Sequence, residues 1–150
     1  MPKRLLIRGL KMSLEVLLDA NVALRYLLKD QEALFEEALQ IMKLAQQGKI
    51  RLHLDLLTIA EMVWVLDSFY KYPRQQVADT VSAFANTEEV IVEERELVFR
   101  ALSDYAACRV DFVDAYLAAR AASNNWPVIT FDKNHFKRLG VEIFSVGKSL

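Results

Sequence analysis

The chain has 150 residues, of which 53% are hydrophobic and 26% are charged. These values are typical of one globular domain, and no apolar run approaches the roughly 20 residues that cross a bilayer. A net charge of −1 excludes a general electrostatic attraction to nucleic acid, and a single cysteine excludes both an internal disulfide and a thiolate metal cluster. We therefore expect a cytoplasmic protein.

The first 11 residues are basic, but they lack the apolar core and the small-residue cleavage site of a secretory signal. Met12 begins a more compact apolar segment. We interpret residues 1–11 as an optional extension, either disordered or the product of an upstream start site. Residues 12–150 are expected to form a single domain.

Short apolar runs alternate with amphipathic stretches along the rest of the chain. The runs predict strands at residues 14–19, 50–54, 89–93, 128–131 and 141–146. The stretches predict helices at residues 20–28, 32–47, 59–72, 74–86 and 95–109, then one from residue 111 and a short one after residue 132. This order indicates an α/β fold, a three-layer α/β/α sandwich with a mostly parallel central sheet.

Three acids are expected to converge near the end of the chain. Asp111 and Asp114 are three residues apart in the first turn of a helix, so they share one face. Asp132 follows the run at 128–131, which we predict to be a strand buried on both faces, and the carboxyl ends of such strands line ligand crevices. The helix after Asp111 has a surface of mostly small side chains that would let it lie close to a sheet, formed by Ala115, Leu117, Ala118, Ala121 and Ala122.

Two further acids have structural explanations of their own. Asp19 lies where a strand passes into a helix, a position at which Asp commonly caps the first helical N–H groups. Thr58 and Glu61 have the spacing of a capping box. Against that, the predicted helix would place Glu61 beside a buried apolar stripe, where an unpaired charge is costly. The stripe consists of Met62, Val63, Val65, Leu66 and Phe69, and we interpret Trp64 as packing too.

Several carboxylates in one pocket raise one another's pKa and oppose folding, and a hard divalent cation removes that conflict. Mg²⁺ and Mn²⁺ prefer oxygen ligands, whereas one cysteine and two distant histidines offer no comparable zinc site. Such a cation can lower the pKa of a bound water and neutralise charge on a phosphate.

At this point four motifs, taken in order, resemble PIN-domain ribonucleases, in particular toxins of the VapC type. They are Leu-Leu-Asp19-Ala-Asn21, the helix with Glu61, Asp111-Phe-Val-Asp114-Ala-Tyr-Leu and Val-Ile-Thr130-Phe-Asp132, within residues 14 to 146. The resemblance implies a catalytic site in which Asp19, Glu61, Asp114 and Asp132 hold Mg²⁺ or Mn²⁺. It also implies that Asp111 is a second ligand or an orienting group, and that Asn21 and Thr130 position carboxylates or a water.

One run departs from the pattern of the family. After Asp132-Lys133 the family often has an acid followed by an aromatic residue, whereas this chain has Asn134-His135-Phe136. We expect His135 to face solvent, with a contact to phosphate as the alternative.

The resemblance implies a metal-dependent endoribonuclease that cleaves RNA by attack of a metal-activated water on the phosphodiester. It further implies a homodimer and an antitoxin that inserts an arm into the acidic pocket. The candidates for contacts to the RNA backbone are Arg25, Lys133, Lys137 and Arg138. The apolar side chains available to a partner are Val22, Tyr26, Trp64, Phe69 and Tyr70, although core packing explains most of them equally well.

Three alternatives stay open at this point. A PIN domain in RNA processing, or a DNA-directed nuclease, would have the same acids. A binding module without a metal would use the acids as helix caps and surface charge. A phosphatase or phosphotransferase would also place an Asp after its first strand, but it typically needs an acid or a hydroxyl two residues later, where this chain has Asn21.

Overall fold

The computed structural model describes residues 6–7, 10–11 and 13–147. Most of the predicted extension therefore lies outside the described residues. Its described part contains two short antiparallel strands, β1 (Leu6–Ile7) and β2 (Leu10–Lys11). The division of the chain into an extension and one domain stays a prediction.

The remaining elements follow the predicted alternation of strands and helices as far as α6. The other strands are β3 (Leu14–Leu17), β4 (Ile50–His53) and β5 (Val90–Ile91). The helices are α1 (Ala20–Leu28), α2 (Glu32–Gln46), α3 (Leu56–Trp64), α4 (Arg74–Ala85), α5 (Arg95–Cys108), α6 (Phe112–Asn124) and α7 (Lys133–Arg138). A π-helical segment, Val65–Phe69, follows α3 directly.

A parallel sheet has β4 in its centre, between β3 and β5. Leu14 pairs with Ile50, Leu17 pairs with His53, and Leu52 pairs with Val90. Parallel neighbours require a crossover connection, which α1 and α2 provide between β3 and β4. The predicted α/β class, with a parallel sheet flanked by helices, is confirmed.

The described residues divide into two compact units. The first unit contains the described residues up to Met62 together with Ala83–Glu93, and so it includes the parallel sheet. Its fully buried side chains include Leu52, Ile59 and Met62. The second unit contains Val63–Ser82 and the described residues from Glu94 onwards, with α5, α6 and α7.

The prediction of a buried strand at residues 128–131 is wrong. Within the described part of the second unit, only Val128 forms a β-bridge, with Ile143, where the Val128 N–H donates to the Glu142 carbonyl at 2.8 Å. Ile129 and Phe131 are exposed. A strand needs repeated backbone hydrogen bonds along its length, and one bridge supplies too few. The predicted strand at 141–146 is reduced to the same bridge.

α3 begins at Leu56, three residues before the predicted start, so the capping-box interpretation of Thr58 and Glu61 is wrong. The Leu57 N–H donates to Oδ1 of Asp55 at 2.8 Å. The Thr58 hydroxyl instead donates to the carbonyl of Leu18 at 3.2 Å. Thr58 therefore ties α3 to the chain that leaves β3, within the first unit.

The side chains at and beyond the end of α3 are only partly buried as predicted. Met62, Val63 and Leu66 are buried. Trp64 and Phe69 are 65% and 73% exposed, so the prediction that they pack into a core is wrong. The helix and the π-helical segment direct these two aromatic side chains to solvent.

The small-residue face of α6 is buried at Ala115, Ala118 and Ala121, whereas Leu117 is exposed. The helix packs against α5 within the second unit. Its predicted packing against a sheet stays a prediction. Alanine side chains still serve the predicted purpose, because they allow close approach of two helices. Among the described helices, none has the length and apolar character that crossing a membrane requires.

Replacing Thr58 with Val should lower the free energy of unfolding by about 1 kcal/mol, because the Leu18 carbonyl loses its side-chain donor while the helix keeps a side chain of similar volume. Urea unfolding followed by circular dichroism measures this change. Thr80→Val is the matched control, because Thr80 is also a half-buried threonine within a helix, α4. Equal losses in both variants would contradict a specific role for the hydroxyl.

Candidate active site

The start of α6 presents two of the predicted acids. α5 ends with Arg109 in a left-handed conformation at φ 51°, and Asp111 then occupies the N-cap of α6 with extended backbone. The Asp111 side chain makes no cap hydrogen bond and is exposed. Asp114 lies in the first helical turn, where the positive end of the helix dipole favours a carboxylate, and only 23% of its side chain is exposed.

The start of α7 presents the third acid. Asp132 is the N-cap of this helix, and its Oδ1 accepts from the His135 N–H at 3.4 Å. The Asp132 N–H donates to the hydroxyl of Thr130 at 2.9 Å. Thr130 therefore holds the backbone that carries the Asp132 carboxylate. Its role in positioning a carboxylate or a water stays a prediction.

The structure brings Asp114 and Asp132 together around the ring of His135. Nδ1 of His135 lies 2.9 Å from Oδ2 of Asp132 and 3.3 Å from Oδ2 of Asp114. One potential ligand atom from each side chain lies within 4.8 Å of the other two. Two carboxylates and an imidazole nitrogen at such separations form a donor set that fits a divalent cation.

The prediction that His135 faces solvent is wrong. The residue is three positions after Asp132 at a helix start, so its ring folds back towards the N-cap carboxylate. The available signal is an Asp-x-x-His spacing that begins at the N-cap of a helix. The side chain is 29% exposed and contacts Asp114 and Asp132.

The first unit carries the other two acids of the predicted site. Asp19 is the N-cap residue of α1, but its side chain makes no cap hydrogen bond, so the cap interpretation of this carboxylate is wrong. Glu61 is three residues after Thr58 and so lies on the same face of α3. The Thr58 hydroxyl donates to the carbonyl of Leu18, which precedes Asp19 in the chain. Asp19, Glu61 and Asn21 are exposed. The assembly of four acids into one site stays a prediction.

Two arginines donate hydrogen bonds to backbone carbonyls at the junction between α5 and α6, just before Asp111. One terminal nitrogen of Arg74 donates to the Tyr105 carbonyl at 2.9 Å and to the Val110 carbonyl at 2.7 Å. Arg138 of α7 donates to the Cys108 carbonyl at 3.2 Å and to the Arg109 carbonyl at 3.3 Å. The last carbonyls of a helix have no partner within the helix, so these bonds satisfy them and link α7 to the start of α6.

Tyr105 completes this support. Its ring lies under the Arg74 guanidinium, 4.5 Å from the ring centroid, and its hydroxyl donates to the Asp67 carboxylate. Burial, and then the hydrogen bond to Asp67, raise the pKa of Tyr105 well above its ordinary value, so the hydroxyl stays protonated at neutral pH. Nothing local in the sequence marks Arg74 and Tyr105 as partners, because they meet only through folding.

Two of the four residues predicted to contact phosphate have other partners. Arg25 is buried, and its terminal nitrogen lies 2.8 Å from Oδ1 of Asp30, which argues against the predicted contact to RNA. Arg138 donates to two backbone carbonyls at the end of α5. Lys133 and Lys137 are exposed on α7 and keep the predicted role as candidates.

Comparisons with known proteins point to one family. A family model described as the PIN domain matches residues 16–142, a range that includes all five acids of the predicted site. The chain is also similar to a VapC ribonuclease of Aquifex aeolicus (strain VF5), with 26% identity over 124 residues that cover 83% of this chain and 91% of the relative. No solved structure matches the chain significantly.

Replacing Tyr105 with Phe should lower the free energy of unfolding at pH 8 by about 1 to 3 kcal/mol, because the half-buried Asp67 carboxylate loses its donor. The folded pKa of Tyr105 is raised, so its contribution is complete below the ordinary tyrosine pKa of about 10 and declines as the pH rises beyond it. The difference between wild type and Tyr105→Phe in urea unfolding should therefore shrink above that pH.

Tyr26→Phe is the matched control for this measurement. The Tyr26 ring stacks on Phe35 with centroids 6.3 Å apart, and the change keeps that contact. A difference between wild type and Tyr105→Phe that stays constant or grows with rising pH would contradict the assigned hydrogen bond.

Proposed function

Because the chain belongs to the PIN-domain family, we propose that it is a metal-dependent endoribonuclease, the toxin of a toxin–antitoxin pair, and that it acts in the cytoplasm. Family membership and the similarity to a VapC ribonuclease support a nuclease. The observation that carries the proposal is the convergence of the Asp114 and Asp132 carboxylates at the starts of α6 and α7. Both acids lie within the residues that the family model matches.

In this proposal Asp114 and Asp132 hold Mg²⁺ or Mn²⁺, and Asp111 orients the site from the N-cap of α6. Such a cation, when bound, lowers the pKa of a water and neutralises charge on the phosphate. Thr130 fixes the backbone of Asp132 through its hydroxyl. By resemblance, Asp19 and Glu61 supply the further catalytic carboxylates, and Asn21 positions a carboxylate or the water.

The RNA backbone would contact the exposed side of α7. Lys133 and Lys137 are exposed there, on either side of His135 in the sequence. Lysine side chains at such positions attract phosphates without reading base sequence. The proposal assigns these two residues to phosphate contacts and leaves out Arg25, which is buried against Asp30.

The rival in which the acids serve only as helix caps is weakened. The side chains of Asp19 and Asp111 make no cap hydrogen bonds although both residues are N-caps, and Glu61 lies in the middle of α3. Asp132 does accept a cap hydrogen bond through Oδ1, yet its Oδ2 points to His135. Capping therefore leaves most of these carboxylates unexplained.

An antitoxin and a second copy of the chain are the partners that the proposal includes. Trp64 and Phe69 are exposed, and the Phe69 ring lies edge-on to Tyr70 with centroids 5.1 Å apart. Exposed aromatic side chains are typical of protein interfaces. Tyr26, by contrast, stacks on Phe35, so packing within the first unit accounts for it.

Replacing Asp114 with Asn should reduce cleavage of a mixed RNA pool at least about 100-fold, because a charged donor for the cation is lost while the shape of the side chain is kept. Wild type should cleave with Mg²⁺ or Mn²⁺ and stop when a chelator is in excess. Asp104→Asn is the matched control, since Asp104 forms a surface ion pair with Arg100 in the same unit. A folded and fully active Asp114→Asn variant would remove Asp114 from the site.

The same assay on matched RNA and DNA oligonucleotides separates the nuclease alternatives. Preferential cleavage of the RNA supports the proposal, whereas preferential cleavage of the DNA would assign the chain to a DNA-directed nuclease. No cleavage of either substrate, with no rise in melting temperature when Mg²⁺ or Mn²⁺ is added, would favour a binding module.

Co-expression with the open reading frames on either side of the gene should yield a stable complex with a small protein. The double change Trp64→Ala and Phe69→Ser should weaken that complex at least about 10-fold in Kd, because interface aromatics contribute most of the binding free energy. Leu57→Ser, an exposed apolar side chain in the other unit, is the control. A chain that purifies alone and leaves cell growth unaffected would contradict the toxin assignment.

A further inference from the structure

The side chain of His135 lies where it would contact a cation bound between Asp114 and Asp132. Its Nδ1 is the ring nitrogen closest to both carboxylates, 2.9 Å from Oδ2 of Asp132 and 3.3 Å from Oδ2 of Asp114. The backbone N–H of the same residue donates to the other oxygen of Asp132, which holds the start of α7 and this carboxylate together. The group is therefore a mixed nitrogen and oxygen donor set.

The spacing of these atoms suits direct coordination. Two ligands at right angles around a cation, each about 2.1 Å from it, lie about 3 Å apart. The distances from Nδ1 to the two carboxylate oxygens fall close to that value, and one potential ligand atom from each of the three side chains lies within 4.8 Å of the other two. Asp132 is half exposed, so its carboxylate is free to adjust.

We infer that His135 is a ligand of the cation held by Asp114 and Asp132, and that the site consequently takes a transition-metal ion such as Mn²⁺ in preference to Mg²⁺. The inference rests on the proposed function, since it concerns the same site. Mg²⁺ keeps oxygen ligands and waters, whereas an imidazole nitrogen gains more affinity from transition-metal ions. In the neutral ring with its proton on Nε2, the lone pair of Nδ1 faces the carboxylates.

A hydrogen-bonding role for His135, without metal ligation, predicts the opposite change in metal affinity. If His135 served only to donate a proton from Nδ1 to the two carboxylates, the ring would compete with a cation for the same oxygens. Removing the ring would then strengthen metal binding. The sign of the change in Mn²⁺ affinity therefore separates a ligand from a competitor.

Electron paramagnetic resonance with Mn²⁺ tests the inference directly. Wild type loaded with Mn²⁺ should show electron spin echo modulation from a coordinated nitrogen, and growth with ¹⁵N-labelled histidine should change that modulation. His135→Gln should abolish it and raise the Kd for Mn²⁺ at least about 10-fold. The Kd for Mg²⁺, measured by competition against Mn²⁺, should change less than about 3-fold.

His53→Gln is the matched control, because the other histidine also meets a carboxylate, with Nε2 2.8 Å from Oε2 of Glu15 in the first unit. It should keep both the nitrogen modulation and the Mn²⁺ affinity. The absence of histidine modulation in wild type, or a His135→Gln variant that binds Mn²⁺ as tightly as wild type or more tightly, would overturn the inference.

Cleavage of RNA by wild type distinguishes a failure of the His135 assignment from a failure of the proposed ribonuclease function. If wild type cleaves RNA with a divalent cation but shows no histidine modulation, only the assignment of His135 fails. If wild type binds Mn²⁺ with histidine modulation and does not cleave RNA, the ligand set stands and the proposed ribonuclease fails.

Discussion

The approach of two carboxylates to one imidazole is the interaction on which the second unit depends. Asp114 and Asp132 carry like charges, and each comes within 3.3 Å of Nδ1 of His135. Charges of one sign do not gather at partly buried positions without compensation. In the proposed function, a cation bound between the two acids would supply that compensation. The geometry is thus easier to explain as a binding site than as surface charge.

The backbone behind this cluster is held by arginine. Arg74 and Arg138 together satisfy four carbonyls between Tyr105 and Val110, where a helix end would otherwise leave acceptors without partners. Because Arg138 belongs to α7, the same bonds connect the segment of Asp132 to the start of α6. The protonated Tyr105 hydroxyl extends the network to Asp67. The acids consequently lie beside a backbone junction that hydrogen bonds hold in place.

Membership of the PIN-domain family and the arrangement of side chains favour the same chemistry by separate routes. The helix caps that offered a simpler explanation are absent at Asp19 and Asp111, and α3 starts too early for Glu61 to belong to a capping box. By the resemblance, Asn134 stands where the family often has an acid, and His135 stands where an aromatic residue often follows it. A nitrogen ligand would tune the choice of cation while leaving the carboxylates in place.

The sequence by itself determined the order of elements as far as α6 and the parallel α/β class, because periodicity and residue type are local properties. The sequence also predicts that Asp132 approaches Asp114, but it does so from a buried strand at 128–131 that does not form. Only the tertiary structure decided which partners those residues meet. Thr58 bonds to Leu18, Arg25 pairs with Asp30 inside the first unit, and the apolar run at 128–131 makes a single bridge. Each of these outcomes depends on groups brought together by folding, which spacing along the chain cannot show.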